Sequence, residues 1–285
     1  MRLFDTHAHL DFPQFEADRA ALVRRLEDGD IVAGTRIEIV GVLIPGIDAI
    51  SCQRAIAMAT LSNLFHVAVA IHPNHTVGTT ENDWQIITDL ARRDDVVAIG
   101  ETGLDRYWDD APLEIQFDWL HRHIDLSLQT NKPILIHCRD AWAELLPILR
   151  QTKGLRGVIH AFSGTAEQMQ ECVKLGFFIS FAGSVTYRNA KFSPLWEAAR
   201  QTPADRLLIE TDAPFMTPHP LRGRVPRNEP MLAALTALRL AELRNVPVQT
   251  IAETTTQNAL QLFFRSARIA HCRESLSILN KVVRE

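Results

Sequence analysis

Short apolar runs alternate along the chain with longer amphipathic segments. Each run is too brief for a helix and has the length of a buried β-strand. The runs predict eight strands, at residues 2–4, 38–45, 66–71, 96–101, 133–137, 157–160, 176–181 and 206–212. Apolar positions at helical spacing predict helices between and after them, at residues 15–26, 49–61, 81–93, 111–129, 141–149, 165–175 and 230–264.

Strands that alternate with helices indicate an α/β fold with a parallel sheet. Eight such units within 285 residues predict a (β/α)8 TIM barrel. We expect one barrel domain over residues 1–264 and a C-terminal tail, residues 265–285, that packs on the barrel. The alternative is an open, doubly wound sheet, which normally has a glycine-rich turn after its first strand. The sequence has His7-Ala8-His9 at that place, which favours the barrel.

Composition and sequence pattern limit the possible cellular compartment and binding partners of the protein. Apolar residues make up 46% of the chain and the net charge is −4, so no overall positive field attracts a polyanion. No apolar run approaches the length of a membrane span, and the N-terminus lacks the pattern of a signal peptide. The four cysteines lie far apart and predict free thiols in the cytoplasm. A monomer is expected, with an oligomer left open.

The residues at the carboxyl ends of the predicted strands have a common chemistry. Most are histidines or carboxylates: His7 and His9, His72, Glu101, His137, His160 and Asp212. In a barrel these ends converge on one mouth, where such enzymes have their active sites. A single histidine there is more often held by an ordinary hydrogen bond than bound to a metal. The whole set at one end of the barrel predicts a metal site.

The composition of this set limits the metal. Nitrogen ligands combined with two carboxylates suit Zn²⁺, Mn²⁺ or a related ion better than Mg²⁺ alone. The set is too large for one open catalytic ion but fits two ions that share a carboxylate, with Glu101 as the bridge. Many amidohydrolase barrels use a carbamylated lysine as the bridge at the end of the fourth strand. No lysine of this chain ends a predicted strand, which excludes that variant.

Eight motifs together resemble the TatD family of metal-dependent deoxyribonucleases, which are barrels of the metal-dependent hydrolase type. In chain order they are DTHAHLD (5–11), IHP (71–73), GETGLD (100–105), IHCRD (136–140), HAFSG (160–164), ETDAP (210–214), RGRVPRNEP (222–230) and NALQLF (258–263). They extend over nearly the whole chain. Among the departures, Ala161 stands where cysteine is common, and residues 28–36 form an unusually long connection. None of the departures removes a predicted ligand.

The resemblance implies a dinuclear site with two divalent metal ions, either Mg²⁺, Mn²⁺ or Zn²⁺. One ion would be held by His7, His9, Asp212 and Glu101, and the other by Glu101, His137 and His160. The implied reaction is hydrolysis of phosphodiester bonds by activated water, from the 3′ end of single-stranded DNA. RNA is an open alternative substrate. The predicted catalytic residues are Asp212, Glu101 and His72.

Three side chains are predicted to contact the substrate. His72 would touch a phosphate or donate a proton, and its alternative role is to hold the loop before Pro73. Arg139 lies two residues after the predicted ligand His137. Arg227 lies in an arginine-rich loop after the last strand, a region where barrels often bind phosphate; the alternative is a solvated loop.

Two carboxylates are predicted to support the ligands. Glu210 precedes Asp212 by two residues on the same strand and would orient a ligand. Asp105 would pair with a histidine or arginine near the mouth. Two other functions stay open: an amidohydrolase or lactonase that acts on a small molecule, and a metal-binding barrel without catalytic activity.

Overall fold

The computed structural model describes residues 1–264, so the predicted tail lies outside the described residues. Within residues 1–264 there are nine strands and nine helices. The strands are β1 (Arg2–Asp5), β2 (Asp30–Val32), β3 (Thr35–Pro45), β4 (Phe65–Val69), β5 (Val96–Asp105), β6 (Ile134–Arg139), β7 (Gly157–Ile159), β8 (Phe178–Phe181) and β9 (Leu207–Ile209). The helices are α1 (Arg19–Asp28), α2 (Ala49–Ala59), α3 (Glu81–Ala91), α4 (Leu113–Thr130), α5 (Trp142–Gln151), α6 (Ala166–Lys174), α7 (Ser193–Gln201), α8 (Ala233–Arg244) and α9 (Val248–Phe263).

Eight of the strands form a parallel barrel. Their order is β1-β3-β4-β5-β6-β7-β8-β9, with each strand paired to the next. The ends of this series meet through backbone hydrogen bonds. The Thr6 N–H donates to the Ile209 carbonyl at 3.2 Å, and the Asp212 N–H donates to the His7 carbonyl at 2.8 Å. The predicted TIM barrel is therefore confirmed.

Side chains that alternate along the strands fill two separate layers. The barrel interior is packed by residues contributed by each of its eight strands: Phe4, Leu43, Ala68, Ala98, Leu135, Val158, Phe178 and Leu208. Neighbouring strand residues pack outward against the ring of helices. Ala259 and Leu262 of α9 join the interior cluster and close the end where the strands begin. The mouth at the opposite end therefore remains available for chemistry.

Two segments near the start of the chain differ from their predicted structure. The helix predicted at residues 15–26 begins only at Arg19, because Pro13 opens a short 3-10 turn that ends at Phe15. The long connection noted at residues 28–36 is a hairpin, in which β2 pairs antiparallel with the first residues of β3. Both differences lie outside the barrel strands and leave the mouth unchanged.

Two predictions near the end of the chain were incomplete. Helix α7 was not predicted; it has nine residues, and only Leu195, Ala198 and Ala199 among them are buried. The helix predicted over residues 230–264 is two helices, α8 and α9. Helix α8 ends at Arg244 because Asn245 adopts a left-handed conformation with φ of 51°. Pro247 then immediately precedes α9. None of the helices within residues 1–264 combines the length and the apolar character needed to cross a membrane.

Candidate metal centre

Glu101 lies at the centre of the polar side chains in the barrel mouth. It is 3% exposed, and its carboxylate oxygen Oε2 is 3.1 Å from His7 Nε2 and 3.6 Å from His9 Nε2. These two imidazole nitrogens are 3.1 Å apart. Asp212 Oδ1 lies 3.8 Å from His7 Nε2 and 3.6 Å from His9 Nε2. Four donor groups from three places in the sequence therefore converge on one buried point.

A second group of donors faces the other oxygen of the same carboxylate. Glu101 Oε1 is 2.7 Å from His160 Nε2 and 3.0 Å from His137 Nδ1. His160 Nε2 is buried and forms no hydrogen bond with any described residue despite this short distance. A buried nitrogen that faces a carboxylate oxygen at this distance without a hydrogen bond fits a ligand of a shared cation. The residues present therefore fit a metal site on each side of Glu101.

Each histidine of the second group has another carboxylate behind it. His137 Nε2 lies 2.9 Å from Asp105 Oδ2, and His160 Nδ1 lies 3.2 Å from Glu210 Oε1. Such carboxylates fix the tautomer and orientation of metal-binding histidines. The contact of Asp105 with a histidine was predicted, and the structure shows this contact. Glu210 was predicted to orient a ligand, and its contact with His160 suits that role.

His72 faces Glu101 but differs from the other histidines. Its Nδ1 accepts a hydrogen bond from the Asn74 backbone N–H at 3.2 Å. Because a neutral imidazole has one acceptor and one donor nitrogen, Nε2 then carries the proton. That Nε2 lies 3.4 Å from Glu101 Oε1. His72 therefore holds the loop through one nitrogen and presents a donor to the cluster with the other.

The electrostatics of the cluster favour a bound cation. Burial alone would raise the pKa of Glu101, but His160, His72 and His7 outweigh it and hold that pKa well below its usual value. Burial alone would also lower the pKa of His160, yet the carboxylates of Glu101 and Glu210 raise it well above its usual value. The space between these carboxylates therefore stabilises positive charge.

The pKa values of His9 and Asp212, in the other half of the cluster, are set mainly by burial. Burial is the largest cause that lowers the pKa of His9 to about 3, assisted by the neighbouring His7. Burial also raises the pKa of Asp212 to about 6, although His7 opposes this. A neutral imidazole keeps a nitrogen lone pair available for a metal. His9 is thus in the protonation state that a metal ligand needs.

Two glycines of the GETGLD motif allow β5 to approach β6. A Cβ at Gly100 would lie 2.4 Å from the Cβ of Leu135, and one at Gly103 would lie 1.9 Å from the carbonyl oxygen of His137. Both glycines have φ of +152°, which side chains rarely permit. The pairing of β5 with β6 also shifts register between Ile99 and Thr102. This irregularity positions Glu101 at the mouth.

The chain matches one protein family over nearly its whole length. The family model described as "TatD related DNase" matches residues 4–264. The chain belongs to the TatD family. The TatD relatives include the uncharacterized metal-dependent hydrolase YabD of Bacillus subtilis, which is 39% identical over 92% of this chain and 98% of its own length. The family identifies the protein as a metal-dependent hydrolase.

Two further proteins are similar to this chain over most of its length. The crystal structure of the TatD homologue YJJV from Escherichia coli superposes with a TM-score of 0.82 at 30% identity, covering 92% of this chain and 97% of that one. The protein named 3′-5′ ssDNA/RNA exonuclease TatD from Pantoea vagans is 32% identical over 92% of this chain and 99% of its own length.

The two arginines predicted to bind substrate have different surroundings in this TatD protein. The Arg227 side chain is 12% exposed, and its guanidinium is 2.6 Å from Asp18 Oδ2 and 2.9 Å from Glu229 Oε1. Arg227 thus holds two surface carboxylates, and its phosphate contact stays a prediction without support from the geometry. The Arg139 guanidinium instead lies 3.6 Å from the centre of the Tyr107 ring. Within residues 1–264 it has no carboxylate partner.

Sequence reasoning assigned no role to Asp5 or to the aromatic residues after Asp105. Asp5 is fully buried and accepts hydrogen bonds from the backbone N–H groups of His7 and Thr211, so it ties the first ligand loop to the last. Its position inside the DTHAHLD motif was the available signal. Tyr107 is exposed two residues after the end of the GETGLD motif, and this short separation was also readable in the sequence.

We expect Asp105→Asn to lower hydrolytic turnover about 10- to 100-fold, because loss of a carboxylate that orients a metal-binding histidine has effects of this size. The amide keeps the volume of the side chain but removes the charge that faces His137 Nε2. Steady-state rates and the metal content of both proteins would test this. Asp118→Asn, on the exposed surface of α4, is the matched control. Equal rates for Asp105→Asn and the unmodified protein would contradict the orienting role.

Proposed function

We propose that this protein is a metal-dependent phosphodiesterase that removes nucleotides from the 3′ end of single-stranded DNA, with RNA as a second substrate. The observation that carries the proposal is the buried Glu101 carboxylate, each of whose oxygens faces a separate set of histidine nitrogens. The name of the Pantoea vagans relative supports the choice of substrate.

The proposed site holds two divalent ions, Mg²⁺, Mn²⁺ or Zn²⁺, that share Glu101. His7, His9 and Asp212 would complete the first ligand set, and His137 and His160 the second. When bound, such a pair of ions lowers the pKa of the attacking water and neutralises charge on the phosphate. Because the donors include both nitrogen and oxygen, the set suits Mn²⁺ and Zn²⁺ at least as well as Mg²⁺.

The remaining chemistry belongs to side chains of the protein itself. Asp212 is in place to accept the proton of the attacking water, since it lies at the mouth beside His7 and His9. His72 Nε2 carries a hydrogen that it can donate in a hydrogen bond to a phosphate oxygen or to the leaving oxygen. Arg139, a charged group without a carboxylate partner among the described residues, is the proposed contact to a substrate phosphate.

Metal removal tests the proposal directly. We expect the protein stripped with a chelator to leave a single-stranded oligonucleotide intact, and added Mn²⁺, Mg²⁺ or Zn²⁺ to restore stepwise release of mononucleotides. Labels at the 5′ and 3′ ends, resolved on a denaturing gel, give the direction of removal. Binding of two ions by titration calorimetry without cleavage of DNA or RNA would contradict a nuclease. Turnover of an amide or lactone panel would then indicate the small-molecule hydrolase, and no turnover at all the non-catalytic barrel.

The proposal includes a cytoplasmic monomer. Within the described residues the three cysteines, Cys52, Cys138 and Cys172, are buried free thiols, which suits a reducing compartment. Light scattering of the purified protein measures the oligomeric state.

A further inference from the structure

Two large aromatic side chains are exposed beside the metal centre. Tyr107 and Trp108 follow β5 after one intervening residue and are 55% and 50% exposed. Their ring centroids are 4.9 Å apart and the ring planes meet at 88°. The pair therefore forms a right-angled corner with aromatic surface open to solvent. We call Tyr107 and Trp108 the aromatic corner.

The aromatic corner is fixed to the metal centre by one carboxylate. Asp105 Oδ1 accepts hydrogen bonds from the backbone N–H groups of Tyr107 at 2.8 Å and Trp108 at 3.1 Å. The other oxygen of Asp105 lies 2.9 Å from His137 Nε2. The loop and the candidate ligand are thus held by opposite sides of the same buried group.

A positive charge completes the corner. The Arg139 guanidinium lies 3.6 Å from the centre of the Tyr107 ring and 5.6 Å from that of Trp108. Arg139 ends β6, two residues after His137. Stacking on Tyr107 restrains the guanidinium while leaving its N–H groups available to a ligand. Aromatic faces combined with a cation are the arrangement that proteins use to bind single-stranded nucleic acid.

We propose that the aromatic corner and Arg139 form a nucleobase subsite. Trp108 stacks on the base of a nucleotide next to the cleaved bond, and Arg139 contacts the phosphate of the same strand. This inference rests on the proposed function and deepens it, because it explains a preference for single strands. A base in a duplex is stacked on both faces by its neighbours, so its face is not available to Trp108, whereas an unpaired base at a 3′ end is available.

Binding of base-bearing and abasic strands separates this subsite from simple phosphate contacts. The probe is a short 5′-fluorescein oligothymidylate whose last linkages are phosphorothioates, which resist cleavage. Its partner has abasic residues at the 3′ end. With the protein as purified, fluorescence anisotropy is expected to show about tenfold tighter binding of the base-bearing strand. Trp108→Ala should remove this difference, and Trp108→Phe should restore most of it.

Leu128→Ala, at an exposed apolar position on α4, is the control and should keep the full difference between the two strands. Thermal unfolding establishes that each variant is folded. The subsite is wrong if the unmodified protein binds both strands equally, if it binds neither strand, or if Trp108→Ala retains the preference. Failure of the proposed function looks different: the unmodified protein then cleaves no unprotected oligonucleotide with any metal, whatever the anisotropy shows.

Discussion

Replacement of Glu101 by glutamine is expected to lower turnover of a single-stranded oligonucleotide by more than about 100-fold. Loss of a group that merely orients a ligand already has effects of about 10- to 100-fold. Glu101 faces both sets of histidines through its two oxygens, so its loss affects both metal sites at once. The amide preserves the shape of the side chain but offers one weaker acceptor and no charge.

Two measurements distinguish this effect from damage to the fold. Because a ligand that binds only the folded protein stabilises it, added metal should raise the melting temperature of the unmodified protein and have little effect on Glu101→Gln. Glu253→Gln, an exposed position on α9, should retain full turnover and the full metal response. Unchanged turnover in Glu101→Gln would show that the shared carboxylate is not part of the active site.

His72→Asn is expected to lower kcat by about 10²- to 10³-fold, the range for loss of one hydrogen bond to the charge that develops in the transition state. The two roles of His72 are separated by this substitution. The asparagine carbonyl oxygen can replace Nδ1 as acceptor for the Asn74 N–H, so the loop should stay in place. It has no equivalent of the protonated Nε2 that faces Glu101.

The measurement combines kcat, KM and the melting temperature. A large fall in kcat with an unchanged melting temperature supports the donor role. If kcat remains at the level of the unmodified protein, His72 serves only to hold the loop before Pro73. His121→Asn on the exposed face of α4 is the control for the substitution itself.

Much of the barrel was predictable because strand patterns are local. Residues such as Val67, Val69 and Leu135 lie in apolar runs whose neighbours in sequence are also buried, and parallel strands covered on both faces have this composition. Helix α7 was missed for the opposite reason. Its buried positions include two alanines, which contribute little to an apolar periodicity.

The candidate ligands were also accessible from the sequence, since histidines and carboxylates at strand ends must converge in a barrel. The structure brings the other five predicted metal ligands together around Glu101, while the binding of metal by these six residues stays a prediction. The contacts of the arginines could not be predicted from the sequence. Arg227 is paired with Asp18, which lies 209 residues away in the chain, and no local pattern indicates that contact.

The sequence alone therefore determined the fold class, the end of the barrel that holds the polar residues and the chemical type of the ligands, because these follow from periodicity and from strand direction. The tertiary structure decided which groups meet. It placed Asp105 against His137, 32 residues away, and stacked Arg139 on Tyr107 instead of pairing it with a carboxylate. Such contacts depend on the packing of neighbouring strands and loops. They join residues that are far apart in the sequence, so the local order of residues does not predict them.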